Sequence, residues 1–576
     1  MRDIKLILGI VILMMIVQLA QAQNPKTTSV ASFSQTDDNH TNRKKQTNSL
    51  DIDISNRLYP KITVPTRELV VVDLHYDSLD AQVAACVLQG IVNRSSTKKI
   101  YVTNTYCFDN RGDWNNNDSL PGYRNQAQMA GTWLREVFTN TPKEILPLDP
   151  KMNNPGLMAI LTKFKSFVKG LIIYDPLLED GTIEAATTIA GQTDGLVVSP
   201  AIALELKEFN FPVLKDLREL HFKSNISCLQ WLKTNYFAKA NKQVAFTWSH
   251  MSTDRRSWGA ANKDYVVANR LFTFYLNIED KEESRQYSSI IKEYPAGTPV
   301  MGWTDERFAD ALFASYGYFM VPFISVENLS VMSSYPSVSG KKPEPKVYPL
   351  NNNSVYIAFQ VADGDNLEHT MVYQPFTILN SANFGKVPLT WIMNPAIVDL
   401  APLSYNWFIS KFSNTNQEMG AMMGDGSPQS DRYSGFSFYC DFANHYINQA
   451  GILTMKQMAE GEAISWRVQP YVLISGYAGT DSRGIGPYEY HMDGESFHIG
   501  SVHISQHNIK NIIQSAPANK PLFLSIFAGT ASGDIPSGVK KFCDELLAQK
   551  DGRQYYFVRS MDLAATYRAW KGLSAQ

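Results

Sequence analysis

Two aspartates stand one residue apart in Asp363-Gly364-Asp365-Asn366, directly behind Val355–Ala362 (VYIAFQVA), which is apolar at seven of eight positions. Carboxylates at the end of so apolar a run are costly unless they are paired, bound to a metal or used in chemistry. The competing reading is a turn capping the next helix, for which Asp, Gly and Asn are all suited. A second acid between glycines follows in Gly424-Asp425-Gly426-Ser427-Pro428, where glycine lets a backbone approach closely and a plain turn again competes. The segment Asp481–Glu495 (DSRGIGPYEYHMDGE) adds Glu489, Asp493 and Glu495. Glycosidic bond cleavage needs such paired carboxylates, one giving a proton to the leaving oxygen and one acting as nucleophile or activating water. On that chemistry Asp363, Asp365 and Asp425 are the candidate acids. Asn366, Trp391, Asn394, Gly424, Gly426, Glu489 and Glu495 are the candidates for holding the sugar. Trp391, inside an apolar run, could equally be core.

A metal offers a different chemistry. His503 and His507 are four residues apart; on a helix they would share a face and could join Asp363 or Asp365 around an ion, as in a metal-dependent polysaccharide deacetylase. The following Ile509, Ile512 and Ile513 read instead as an ordinary amphipathic helix with the histidines on its exposed side. No glycine loop of the P-loop or dinucleotide type occurs. The expectation is therefore a site with no metal and no cofactor.

The elements that must position these residues form an α/β pattern. A strand apolar on both faces, such as Val355–Ala362, belongs inside a parallel sheet or barrel. Further strands are expected over 387–393, 419–423, 468–474, 521–527 and 555–558, with helices over 442–459 and 539–548 among the separators. Six strand-then-helix steps in roughly 230 residues predict a (β/α) barrel-like domain over 341–576, complete or incomplete, with its site at the carboxyl ends of the strands. Upstream, Leu69–Leu74, a helix over 78–93 and Lys99–Val102 form a βαβ unit, and the pattern recurs at 170–174, 181–190 and 195–198. Helices over 265–273 and 305–315 flank a strand at Pro299–Trp303. This gives an N-terminal α/β region, 61–225, read as two small subdomains by its two repeats, and a third small α/β domain, 226–340. The Pro- and Ser-rich stretch 333–349 reads as a linker.

Composition narrows the partners. The chain has 576 residues, 44% hydrophobic and 19% charged, with 53 Lys+Arg against 55 Asp+Glu. A net charge of -2 and the lack of a Lys/Arg-rich block exclude a nucleic-acid binder working through a basic surface. Five scattered cysteines without C-x-x-C exclude a disulfide scaffold. Arg2 and Lys5, the apolar run Leu6–Val17 and Ala20-Gln21-Ala22 make residues 1–22 a secretory signal, followed by a polar tether over 23–60. Secretion or export to the periplasm follows, with no membrane span once the signal is removed.

Several segments in one order carry a resemblance. They are Leu88-Gln89-Gly90-Ile91-Val92-Asn93-Arg94, Ile100-Tyr101-Val102, Pro299-Val300-Met301-Gly302-Trp303, Glu327-Asn328-Leu329-Ser330-Val331, Asp363-Gly364-Asp365-Asn366 and the closing Phe557–Asp562 to Tyr567-Arg568. From about residue 65 onward the chain resembles the GxGYxYP family of secreted bacterial proteins, classed by inference as glycoside hydrolases. The resemblance implies small N-terminal α/β domains before a barrel-like domain, and carbohydrate as substrate class. The segment matching the family's G-x-G-Y-x-Y-P is Gly424-Asp425-Gly426-Ser427-Pro428-Gln429-Ser430. It keeps both glycines and replaces both tyrosines and the proline, which leaves open a non-catalytic carbohydrate-binding protein on a degenerate barrel.

Overall fold

The computed structural model describes residues 58–105, 126–248, 260, 262–304, 313, 318–322, 326–364, 366–422, 436–457, 470–475, 490–504, 509–530 and 533–574. They lie in one compact unit, Leu50–Gln576. Its N-terminal half carries three small parallel sheets. The first contains β1 (Glu68–Asp73), β2 (Lys98–Thr103) and β3 (Lys143–Ile145) in the order β2-β1-β3. The second contains β4 (Gly170–Ile173), β5 (Gly195–Val198) and β6 (Val213–Asp216) in the order β5-β4-β6. The third contains β7 (Asn241–Trp248), β8 (Leu271–Tyr275), β9 (Pro299–Trp303) and β10 (Phe319–Pro322) in the order β10-β9-β7-β8.

Helix α1 (Leu79–Ser95) locks the first sheet to its neighbours. Ser78 caps it by accepting from the Ala81 N–H, with Asp80 in the first turn and Arg94 in the last, each placed favourably for the helix dipole. A Cβ on Gly90 would lie 2.6 Å from the Asp264 carbonyl oxygen, so glycine is what lets helix α2 (Lys263–Ala268) cross so closely. On the same helix, the Gln89 amide donates to Ile100 O (3.0 Å) and Asn328 Oδ1 (2.7 Å), and the Asn93 amide to Ile100 O (3.0 Å) and Ser330 Oγ (2.8 Å). Asn328, with φ +63°, accepts from Val102 N and donates to Val102 O. Two of the segments that carry the family resemblance are thus mutual hydrogen-bond partners in a dry interface.

The C-terminal half is an incomplete β/α barrel. Its strands are β11 (Ser354–Ala362), β12 (Thr390–Met393), β13 (Glu418–Ala421), β14 (Thr454–Gln457), β15 (Val472–Ser475), β16 (Tyr490–Asp493), β17 (Ser496–His503), β18 (Leu522–Thr530) and β19 (Gln554–Val558). Seven of them run parallel and close in the order β11-β12-β13-β14-β15-β17-β18 and back to β11, where Gln360 and Val361 register with Thr390 and Trp391. β19 lies along the N-terminal half of β11, and β16 pairs antiparallel with β17. β11 is buried at every position.

Strand alternation sorts the side chains. Tyr356, Val472, Phe497 and Phe523 cluster at one end of the interior, and Ala362, Ile392, Met422 and Phe527 at the other. Between them Gln360 bonds Ser525 and accepts from Ser501 (3.0 Å), a tie across three strands. At the amino end, buried Glu418 accepts from Thr390 Oγ1 (3.0 Å), the Met561 N–H (3.1 Å) and Thr454 Oγ1. Burial pushes its carboxyl up to about 7.

Two helical expectations give way to strands. The run expected as helix over 265–273 holds α2 only to Ala268 and then β8, because Arg270 takes a left-handed conformation that ends the helix. The run over 442–459 is helical to Gln449, reverses at Gly451 (φ +65°) and continues as β14. The second expected helix, 305–315, falls almost wholly outside the described residues. Residues 333–349 lack regular structure, yet Val338, Gly340, Lys346 and Tyr348 all donate their N–H groups to the barrel.

Candidate active site

Asp363 ends β11 in a left-handed conformation, φ +76°, which a non-glycine residue holds only when its surroundings fix it. The fixing is visible. A Cβ on Gly364 would lie 1.9 Å from Ile392 O, so this turn is pressed against β12. Thr370 Oγ1 donates to Gly364 O (3.2 Å) and accepts from Asn394 N (3.0 Å), and the Gln374 amide donates to Ile392 O (2.6 Å). The strained aspartate is held from both sides.

Its carboxylate is partly open to solvent, with Oδ2 3.3 Å from His369 Nε2. His369 begins a π-helical turn, His369–Tyr373, a geometry that recurs at functional sites. Burial lowers the imidazole's proton affinity, while Asp363 pulls the other way. On β14, Lys456 is fully buried, its ammonium 4.2 Å from the centroid of the Phe527 ring of β18. Burial lowers it to about 7, against the opposing attraction of Asp363. The Phe527 ring is met edge-on by His503 at the end of β17, with centroids 5.0 Å apart. Strands β11, β14, β17 and β18 thus bring Asp363, Lys456, His503 and Phe527 to the carboxyl mouth of the barrel, and the turn after β11 adds His369. A carboxylate, an imidazole and an amine that changes charge near neutrality can exchange protons with a bound molecule.

The remaining candidates are placed differently. Asn366 accepts from the Glu368 N–H (2.9 Å), a local turn at the same mouth. Asn394 is fully buried and accepts from the Ala396 N–H (3.0 Å), which fixes the end of β12. Trp391 has no exposed face: alternation turns it outward from the barrel, where it stacks on Phe412 and donates its indole N–H to Gln417 (3.1 Å). A sugar platform needs an open ring, so Trp391 is core. Glu495 stands in the turn before β17, at the amino end of the barrel, with its carbonyl accepting from Arg568 (2.8 Å); β16 carries the chain back to that end and separates Glu495 from the mouth. Asp365, Gly424, Asp425, Gly426 and Glu489 lie outside the described residues.

His503 closes a strand, so the helical i,i+4 geometry for His503 and His507 does not hold; His507 itself lies outside the described residues. Among the described residues no three His, Cys, Asp or Glu side chains stand close enough to hold a metal ion. His369 and Lys456 were missed from sequence. A lysine in the alternating Leu453-Thr454-Met455-Lys456 is a signal, masked by reading that run as helix.

The N-terminal half reaches this site. Trp133 donates its indole N–H to Met371 O (2.9 Å) inside the π-helical turn, and its ring meets Trp407 edge-on at 5.2 Å.

Three family models match the chain. They are described as GxGYxYP_N second domain (168–240), GxGYxYP third domain (245–334) and "GxGYxYP putative glycoside hydrolase C-terminal domain" (353–497). No curated protein matches. A crystal structure described as "a putative hydrolase" from Bacteroides thetaiotaomicron is similar with a TM-score of 0.67 and 16% identity, over 90% of this chain and 98% of that one. At that identity the likeness is one of fold.

Proposed function

The chain belongs to the GxGYxYP family, and from that premise we propose that it hydrolyses glycosidic bonds at the carboxyl mouth of its barrel. The observation that carries this reading is Asp363, a strained and partly open carboxylate beside His369 and within reach of the charge on Lys456. Asp363 supplies one carboxylate, and Asp365 or Asp425 supplies the second that the chemistry requires. Lys456, changing charge near neutral pH, sets the charge of the mouth. Substituting Asp363→Asn should lower kcat on a cleaved glycan by about 10²- to 10⁴-fold with the melting temperature little changed. Full turnover by the folded variant would remove Asp363 from the chemistry.

A second reading is carbohydrate binding without cleavage, favoured by the altered segment Gly424–Ser430, which lacks both tyrosines and the proline of the naming motif. Retention of a glycan with no product after prolonged incubation separates it from hydrolysis. We also propose export, with cleavage after Ala22. Among the described residues no helix is long and apolar enough to cross a membrane. N-terminal sequencing of protein expressed in a bacterial host with its leader should begin at Gln23; an intact Met1 would refute export by this route.

A further inference from the structure

A cleft of about 860 Å³ opens far from the barrel chemistry in chain position, at the carboxyl ends of β1, β3 and β5. Its walls come from His75–Asp80, the loop before the helix Pro155–Phe164, and the helix Pro200–Glu205. Carboxyl ends of parallel strands are where α/β sheets bind ligands, and this volume suits a small molecule.

Two observations count against an anionic ligand. First, each helix end at the cleft is already capped by a side chain of the protein. Ser78 accepts from Ala81 N, Asp77 from Gly156 N (2.9 Å) and Leu157 N (2.6 Å), and Ser199 from Ile202 N. These caps already occupy positions that a bound phosphate would need. Second, the lining holds Asp77, Asp80 and Glu205 and no Lys or Arg. Anions are disfavoured on both counts. The acids are engaged as well: Glu205 accepts from the Asn154 amide (2.7 Å), and Asp80 is hydrogen-bonded with the Tyr174 hydroxyl. Each is held by a neutral donor and keeps lone pairs with which to accept from a ligand's hydroxyls.

The apolar element is Tyr76. It is 73% exposed, and its ring meets His75 at 81°, an edge contact that leaves ring area open. Met152, 49% exposed, lines the same cleft. An open aromatic ring beside amide and carboxylate acceptors suits a flat C–H surface bordered by hydroxyls.

We propose that this cleft is a second, non-catalytic saccharide site that takes an uncharged sugar, with Tyr76 as its platform and Asp80, Asn153 and Glu205 as its hydroxyl partners. It rests on the proposed function only for the class of molecule the protein meets.

The test uses the full chain carrying Asp363→Asn, so that no probe is consumed, on an array of neutral, amino-sugar and uronic-acid oligosaccharides. Hits are then measured by titration calorimetry. At least one neutral glycan should lose affinity by about tenfold or more on adding Tyr76→Ala. Tyr76→Phe, which keeps the ring, should hold it within about twofold. The proposal is overturned if no arrayed glycan depends on Tyr76, or if dependence is confined to amino sugars or uronic acids. Failure of the catalytic reading would show separately, as turnover that survives Asp363→Asn.

Discussion

Lys456 places an amine where an ammonium is expensive. In the unfolded chain it holds its proton up to about 10.5, and in the folded protein only to about 7. Below pH 7 both states are charged, and the native state carries the whole cost of burying the ion. Between pH 7 and 10.5 that cost fades, and above 10.5 it is gone. Lys456→Met, which also packs well on the Phe527 ring, should therefore raise the melting temperature at pH 6–7, with the gain shrinking toward pH 10. Activity should fall in the same variant. Thermal unfolding across that pH range checks the sign; a gain that grows with pH would show that the amine is not desolvated in the native state. Of the residues at the barrel mouth, Asp363 stood out in the sequence because it ends an unmistakable apolar run. His369 was not, because a π-helical turn has no periodicity that singles it out. Lys456 was hidden for a different reason: the four-residue strand β14 follows its helix after only a short turn, and the two share a continuous apolar pattern.

At the scale of elements, the interface between α1 and the segment Glu327–Val331 is built from side-chain amides. Asn328 satisfies Gln89 Nε2 and both backbone groups of Val102. Asn328→Ala would take this partner from the two Val102 backbone groups and leave Gln89 Nε2 with only its bond to Ile100 O, at about 1–3 kcal/mol for each buried group left unsatisfied. It would also put a less tolerant residue at φ +63°. Urea unfolding should show a loss above about 2 kcal/mol; a loss below about 0.5 kcal/mol would mean that water replaces the amide. The βαβ units of this half were readable because their strands are short runs of Val, Ile and Leu, unbroken on both faces. The amide network was not, since Gln and Asn spaced for a helix face look the same whether they meet solvent or another helix.

For the whole molecule, one face of the first and third N-terminal sheets shares a hydrophobic core with the barrel, in which Leu69, Val71, Tyr101 and Trp133 pack with residues of β11, β12 and their helices, while the second sheet packs in a core of its own half. The chain's last elements complete the shared core. β19 covers half of β11, Met561 bonds Glu418, and the Asp562 carboxylate takes both Arg559 and the Lys346 N–H. A chain ending before Gln554 would expose an edge of the most buried strand. It should be recovered mainly as aggregate, measured by size-exclusion chromatography of the soluble fraction; a soluble monomer would refute this. Sequence composition marked 333–349 as a linker; the segment lacks regular structure but is bonded along its length to the C-terminal half. Its laced contacts come from backbone N–H groups, which no side-chain pattern reports.

The hydrogen bond from Trp133 to Met371 O has a consequence for how this protein can change over time. The carbonyl belongs to the turn that carries His369, while the indole belongs to the first α/β unit. The geometry of this turn is therefore supported by a residue 238 positions upstream. Exchange of the front units with those of a distant relative, without a matching aromatic at this place, would alter the turn beside Asp363. At this point the two halves are fitted to each other.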